Sequence, residues 1–425
     1  MQLAEEGICP FFAKWRQAFL LILSILAGVR TIHASEVDAL RISLNIQQLH
    51  MPYGTVLDPV FASSDPASPG YSEVRGYTRA GDSAIWTGHY LAAEAFRYQV
   101  TRSPDALANA WKALEGIHSL LDVTGSDVLA RCLIPVNSPY AAAIQQQEAG
   151  NGIYYNTLGG QPYFWIGNTS RDQYSGVVFG LSAAYDMIDD PNAHSLIRQD
   201  LTRILNYLLG HNWNVVMPDG RVSTTFAVRP DQQLSFLQAG RKVNPLRFTF
   251  VYAIYRTVYA AFAAVPVFFD SLDDHSHYFK FNLNYINLYD LIRLEEDSSP
   301  YKAVYMNAYD MLRRRTQSHG NPHFNMIDRA LKGPNGARDT ETIGLLNLWL
   351  LRPRRDYWID LRGKYPSCGA DRACIPIAVN DRVDTDFLWQ RSPFLLFGGG
   401  AGMVETAAVD YILSYWMARY YALPQ

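Results

Sequence analysis

The chain has 425 residues, of which 48% are hydrophobic, 13% aromatic and 18% charged. That apolar share excludes an intrinsically disordered chain, which could not offset the entropy of ordering. A net charge of -3 gives no electrostatic footprint for nucleic acid, and four Cys are too few for a disulfide scaffold.

The first segment reads as an address. Lys14 and Arg16 precede an apolar run, Phe19 to Val29, and Thr31-Ile32-His33-Ala34 follows it. This is the three-part pattern of a secretory signal over residues 1–34, with Ala34 before the cut. The run is too short to cross a ~30 Å hydrocarbon core. A secreted or periplasmic protein is expected, with no stable membrane span after cleavage. Residues 35–425 then form a single domain of open oligomeric state.

From there the chain reads as paired helices. Asp38 to His50 opens the series. Asp82 to Arg102 places Ile85, Trp86, Tyr90, Leu91, Ala93 and Phe96 at helical spacing. Ser103-Pro104-Asp105 interrupts it, and Pro104 suits the first turn of a helix over Ala106 to Val123. The grammar recurs in Gln173 to Ile188 and Ala193 to Leu209, then in Phe248 to Val265 after Pro245. It continues in Leu283 to Glu295, Tyr301 to Thr316, Phe324 to Leu331, Thr340 to Leu351 and Thr406 to Ala422. Period-two alternation is confined to Arg221 to Val228 and Arg75 to Tyr77, enough for a small hairpin or an extended rim loop. Cys368 and Cys374 enclose a short loop and are expected to pair in an oxidising compartment, leaving Cys132 as a buried apolar residue.

The expected fold class is all-α. Hairpins without a fixed sequence period suggest an (α/α) toroid rather than a solenoid. It would have about five to six helical hairpins, long rim loops and at most a small β-hairpin. An inner ring packed on an outer ring accounts for apolar faces on both helices of a pair.

Four motifs share one form, a polar loop with a carboxylate ahead of an apolar or aromatic run. They centre on Asp82 (with Trp86 and His89), Asp172 (with Asn168, Arg171 and Tyr174), Asp339 (with Arg338 and Glu341), and Asp384 with Asp386 (ahead of Trp389). Asp82, Asp172 and Asp339 each stand where a helix N-cap belongs. As a set they argue for more, because Arg, Trp, Tyr and His crowd the same loops. In a toroid the inner helices start at one rim, so such entrances converge on one mouth. Trp86, Trp165, Tyr174 and Trp389 are expected there for stacking on sugar rings, and two carboxylates can divide acid and base work.

No metal or cofactor is expected. His319 and His323 flank Gly320 and Pro322, which disfavour a regular helix and suit a loop with partly exposed imidazoles. Asp273-Asp274-His275-Ser276-His277 is a weak cation candidate. Phe397 to Gly402 is Gly-rich but follows no βαβ pattern, and suits a tight rim turn.

The paired helices, export signal, aromatic richness and acid-bearing helix entrances resemble the six-hairpin, or (α/α) toroid, carbohydrate-active superfamily over residues 75 to 423. The resemblance is one of architecture. It implies an oligosaccharide or polysaccharide substrate more firmly than a reaction. The leading expectation is an inverting glycoside hydrolase using Asp172 and Asp386, with Asp82 and Asp339 next. Trp86, His89, Asn168, Arg171, Tyr174, Arg338, Glu341, Asp384 and Trp389 would bind substrate. An alternative is a lyase acting by β-elimination on a uronic-acid glycan through Asn168, Arg171, Tyr174 and His89. A further alternative is a non-catalytic carbohydrate-binding protein, or another toroid enzyme such as an isomerase.

Overall fold

A computed structural model describes residues 34–273, 275–383 and 386–423. Residues 1–33 of the expected leader, and Asp384, lie outside the described residues. Chain order runs α1 (Glu36–Asn45), β1 (Asp58–Phe61), β2 (Val74–Thr78), α2 (Ser83–Thr101), α3 (Pro104–Asp122), β3 (Cys132–Pro135), α4 (Ala141–Gln147), β4 (Ile153–Leu158) and β5 (Gln161–Ile166). It continues α5 (Arg171–Met187), α6 (Pro191–Gly210), β6 (Asn214–Val216), β7 (Val222–Thr225), α7 (Pro230–Val243), α8 (Pro245–Tyr259), α9 (Ala264–Asp270), α10 (Phe279–Arg293) and α11 (Pro300–Thr316). The last elements are α12 (Pro322–Lys332), α13 (Gly336–Leu350), β8 (Arg355–Asp360), β9 (Phe397–Glu405) and α14 (Val409–Tyr420).

The molecule is 56% helix and 13% strand, with sheets of four, three and two strands. The expectation of an all-α fold with at most a small β-hairpin is therefore corrected: this is a mixed helix and sheet protein. The strands escaped the sequence pattern for local reasons. β4 and β5 form a hairpin whose turn is Gly159-Gly160, both at positive φ, and a Gly-Gly loop between two aromatic runs is a hairpin signal. The Gly-rich run Phe397 to Gly402 is a strand, not a rim turn. Gly400 leaves room for the Asp356 side chain, and Gly402 for the Tyr357 ring. The two alternating stretches lie on β7 and β2.

Among the described residues, α2, α5, α7, α10, α12 and α14 are the most deeply buried helices. Helix α2 packs on α5, α5 on α7 and α10, α10 on α12, and α12 on α14, which returns to α2. Helices α3, α6, α8, α11, α13 and α1 pack outside them. Pro at the first position starts α3, α6, α8 and α11, where its missing N–H costs nothing. Short turns link each buried helix to its outer partner, so the two run antiparallel. The strands therefore gather at the opposite end: β2 precedes α2, β5 precedes α5, β7 precedes α7 and β9 precedes α14. The sheets form the walls of the rim at which the buried helices begin.

Helix α7 had no sequence signal, because its buried face carries Gln232, Gln233, Ser235 and Gln238 beside Leu234 and Leu237. A polar buried face erases the apolar period that marks an amphipathic helix. The disulfide Cys368–Cys374 is present, with Cα atoms 5.3 Å apart, and Cys132 is buried.

The closest approach in the core is between α2 and α5. A methyl on Gly88 would overlap the carbonyl of Gly176, one on Gly180 would overlap the carbonyl of Gly88, and one on Gly176 would lie 2.8 Å from Cα of Ile85. Gly176→Ala should therefore cost about 1–3 kcal/mol from overpacking, despite the gain in helix propensity. Gly344→Ala, in exposed α13 with nothing within 4 Å, should stabilise by up to ~1 kcal/mol. Urea denaturation of both variants checks this; equal midpoints would contradict the packing argument.

Candidate active site

The entrances of α2, α5 and α14 meet at the strand-bearing rim. A left-handed residue precedes each: Arg79 (φ 61°), Asn168 (φ 49°) and Ala408 (φ 62°). Non-glycine residues held there carry strain of order ~1–2 kcal/mol, so the surrounding contacts must enforce it.

Asp82 occupies the N-cap position of α2 but makes no cap bond. Ser170 caps α5, and its N–H donates to Gln173 Oε1 at 2.9 Å. The other end of that cap reaches across: Gln173 Nε2 donates to Gly81 O and to Asp82 Oδ1, each at 3.3 Å. Arg131, just ahead of β3, donates to Gly81 O at 2.7 Å and Asn168 O at 3.0 Å, and lies 3.9 Å from Asp82 Oδ1. One guanidinium and one cap amide thus fasten the two entrances together, with Asp82 and Asp172 beside them.

Asp386 arrives on the loop ahead of β9. It forms an ion pair with Arg391 and accepts the Phe387 N–H at 2.6 Å. Arg79 also faces it, and Arg79 donates to Asp58 at 2.7 Å. Asp58 in turn accepts the Ala407 N–H at 3.1 Å, which ties in the entrance of α14.

These surroundings drive the carboxyls apart. Burial and, next, the charge of Asp386 push Asp82 up to about 7 against the pull of Arg131 and Arg391. The side chain keeps 37% of its surface open, so it is a reachable acid at the bottom of a recess. Burial also raises Asp172, opposed by Arg131 and Arg171. Burial acts on Asp386 in the same direction, but Arg391, Arg79 and the Phe387 N–H outweigh it and hold that carboxyl below the usual range. One recess therefore brings together a carboxyl that ionises only near neutral pH and one held as a carboxylate, the division that acid–base catalysis uses.

The floor is aromatic. Trp86 stacks on Phe387 with centroids 4.8 Å apart, and Phe387 meets His89 at 4.7 Å. Among the described residues the buried Trp86 Nε1–H has no partner. A hollow of ≈ 10 Å³ opens between Trp86, Asp58, Asp386, Phe387 and Thr406, about the room for one water. At the entrance of α7, Arg229 binds Asp231 at 2.7 Å, Asp270 at 2.8 Å and Asn284 at 2.7 Å. Arg171 faces Arg229, Asp172 and Asp231, yet among the described residues it makes no hydrogen bond or ion pair of its own.

The structure thus brings Asp82, Asp172, Asp386, Arg171 and Trp86 together. It separates the others. Asp339, Arg338 and Glu341 begin an outer helix, which starts at the opposite rim. There Asn335 is the cap, Asp339 pairs with Arg329 and Arg338, Arg338 also pairs with Asp328 at 2.7 Å, and Glu341 accepts from Asn325. Tyr174, Trp165 and Trp389 are core residues. Tyr174 Oη accepts the Leu129 N–H, Trp165 stacks on Tyr154, and Trp389 Nε1 donates to Asp410 O. His89 is buried with Nδ1 on Ile85 O and Nε2 facing Asn282, and Asn168 acts through its backbone. The Asn168, Arg171, Tyr174 and His89 set proposed for elimination is therefore dispersed. His319 and His323 are buried rather than loop-exposed. Arg131 and Gln173 were missed: Gln173 reads as a capping-box residue, and Arg131 lies outside every motif.

Among the described residues no three His, Cys, Asp or Glu side chains converge to hold a metal ion. Asp273 instead accepts the N–H groups of His275 and Ser276 in a turn. The chain matches no protein-family model, and no curated protein or solved structure is similar to it.

The buried imidazoles give the site region a pH signature. Burial lowers His89 to about 4 and drives His323 well below its ordinary value. Between pH 6.5 and about 4 the unfolded chain binds a proton that folded His89 refuses, so stability is lost as pH falls. His89→Leu should remove on the order of 3 kcal/mol of that pH dependence. Denaturation midpoints at neutral and mildly acid pH check it, and parallel curves for variant and wild type would refute it.

Proposed function

We propose that this protein hydrolyses a glycosidic bond, with Asp82 as proton donor and Asp386 as the carboxylate that takes a proton from the attacking water. The observation that carries this reading is the opposed shift of the two carboxyls within one recess. As the bond to the leaving oxygen breaks, the Asp82 proton passes to that oxygen. Water adds to the anomeric carbon and releases its proton to Asp386. An inverting course follows if the water enters from the small hollow beside Asp386. Asp172 and the open fork of Arg171 supply groups for sugar hydroxyls. The Asp82–Asp386 pair replaces the earlier Asp172–Asp386 preference, because Asp82 is the more strongly raised acid.

Asp82→Asn keeps the shape of the neutral acid and its bond to Gln173 but has no proton to give. It should lower kcat by roughly 10²–10⁴-fold without lowering the melting temperature, since it removes a carboxyl that burial penalises when charged. Asp386→Asn should lose activity and also stability, because it removes the charge of a buried carboxylate paired with Arg391. In the wild type, activity should fall as pH rises through about 7, where Asp82 ionises, and Asp82→Asn should lack that limb. The assay reads new reducing ends from a panel of neutral and acidic glycans, alongside near-ultraviolet absorbance. Full activity in Asp82→Asn would defeat the assignment, and absorbance rising with the reducing ends would indicate elimination instead.

A further inference from the structure

The outer wall between the two rims carries an apolar stripe that the fold does not use. Along α8 it runs Leu246, Phe250, Ile254 and Val258, one residue per helical turn. It continues through Phe262 ahead of α9, Val265, Phe268 and Phe269 on it, and Leu272 after it. With Tyr259, this segment holds ten of the twenty large hydrophobic side chains exposed among the described residues. Leu246 is fully exposed, Phe250 76% and Phe269 63%. Ten such side chains, about half uncovered, expose on the order of 1,000 Å², above the ~300–600 Å² of the largest patch on an ordinary soluble monomer.

We propose that this stripe seats the protein on the surface of an anionic lipid bilayer, lying in the headgroup plane without crossing it. Charge points to that occupant. From Pro245 to Phe269 the charged residues are Arg247 and Arg256, with no carboxylate. Arg256 turns to Glu295 at 3.0 Å, whereas Arg247 is exposed and reaches only Asn206. Asp270, at the end of the stripe, turns inward to Arg229 and Asn284. Between Pro245 and Phe269 the stripe thus offers apolar side chains and a cation, with no acid of its own to repel a lipid phosphate. Shape agrees. The segments Pro245–Phe262 and Ala264–Asp270 meet at 44°, and among the described residues no single helix is long and apolar enough to cross a membrane. A bent ridge on an outer wall demands a complementary surface from a second copy, whereas a fluid bilayer conforms to it. The same Asp270–Arg229 bond links the stripe to the rim bearing the candidate site, so seating would place the mouth beside the membrane.

Flotation of the mature chain with vesicles of equal phosphatidylglycerol and phosphatidylcholine tests this, against vesicles of phosphatidylcholine alone. The wild type should float with the anionic vesicles. Leu246→Ser/Phe250→Ser/Phe269→Ser should reduce binding by roughly tenfold or more, with an unchanged melting temperature because all three side chains are outside the core. Arg247→Glu should weaken binding to anionic vesicles several-fold and leave the neutral ones unaffected. A wild type that stays unbound, a triple variant that binds equally, or a lipid-free dimer that the triple variant dissolves would each overturn the proposal.

Discussion

The contact on which the rest of this structure depends is the glycine-lined crossing of α2 and α5. With Gly88, Gly176 and Gly180 facing one another, the two backbones touch where other pairs of helices are held apart by side chains. That contact sets the distance between the two helix entrances, and the entrances carry Asp82 and Asp172. Arg131 and Gln173 then fasten the loops above, through carbonyls at Gly81 and Asn168. A side chain at any of the three glycines would move a whole helix, and with it one wall of the recess. The geometry of the recess and core packing are in this sense one constraint.

Within the recess, residue type does not decide chemistry. Asp82, Asp172 and Asp386 are identical side chains, each at least partly withdrawn from bulk water. What distinguishes them is how many cations and N–H donors each faces. Asp386 has Arg391, Arg79 and a backbone N–H; Asp82 has a neighbouring negative charge and only partial compensation from arginine. The same comparison explains Asp339, whose partners Arg329 and Arg338 form a buried network far from the mouth. The left-handed residues at three entrances add to the picture. Strain held next to a polar recess is affordable because the helices beneath are buried and strongly packed.

Legibility in the sequence followed periodicity. Helices with apolar faces, such as α2, α3, α5 and α6, were read to within a few residues, and Pro at the start of α3, α6, α8 and α11 marked the pairing. Helix α7 was not, since a buried polar face carries no apolar period. The strands were hidden in loops rich in Gly, where short length and close backbone approach replace alternation. The site was half legible: Asp82, Asp172, Asp386, Trp86 and Arg171 stood in recognisable entrance motifs. Arg131 could not be singled out, because it is one of many arginines and acts across about fifty residues of intervening chain.

By itself, the sequence determined the helical pairs, their short turns, the pairing of Cys368 with Cys374 and a set of acidic helix entrances, because each rests on local chain chemistry. Tertiary structure alone decided which entrances share a rim. An outer helix begins at the end where its inner partner finishes, so Asp339 is carried away from Asp82 although the two motifs look alike. It also decided which carboxyl is shifted up and which down, because a pKa depends on the charges and solvent around a group, and these come from distant parts of the chain.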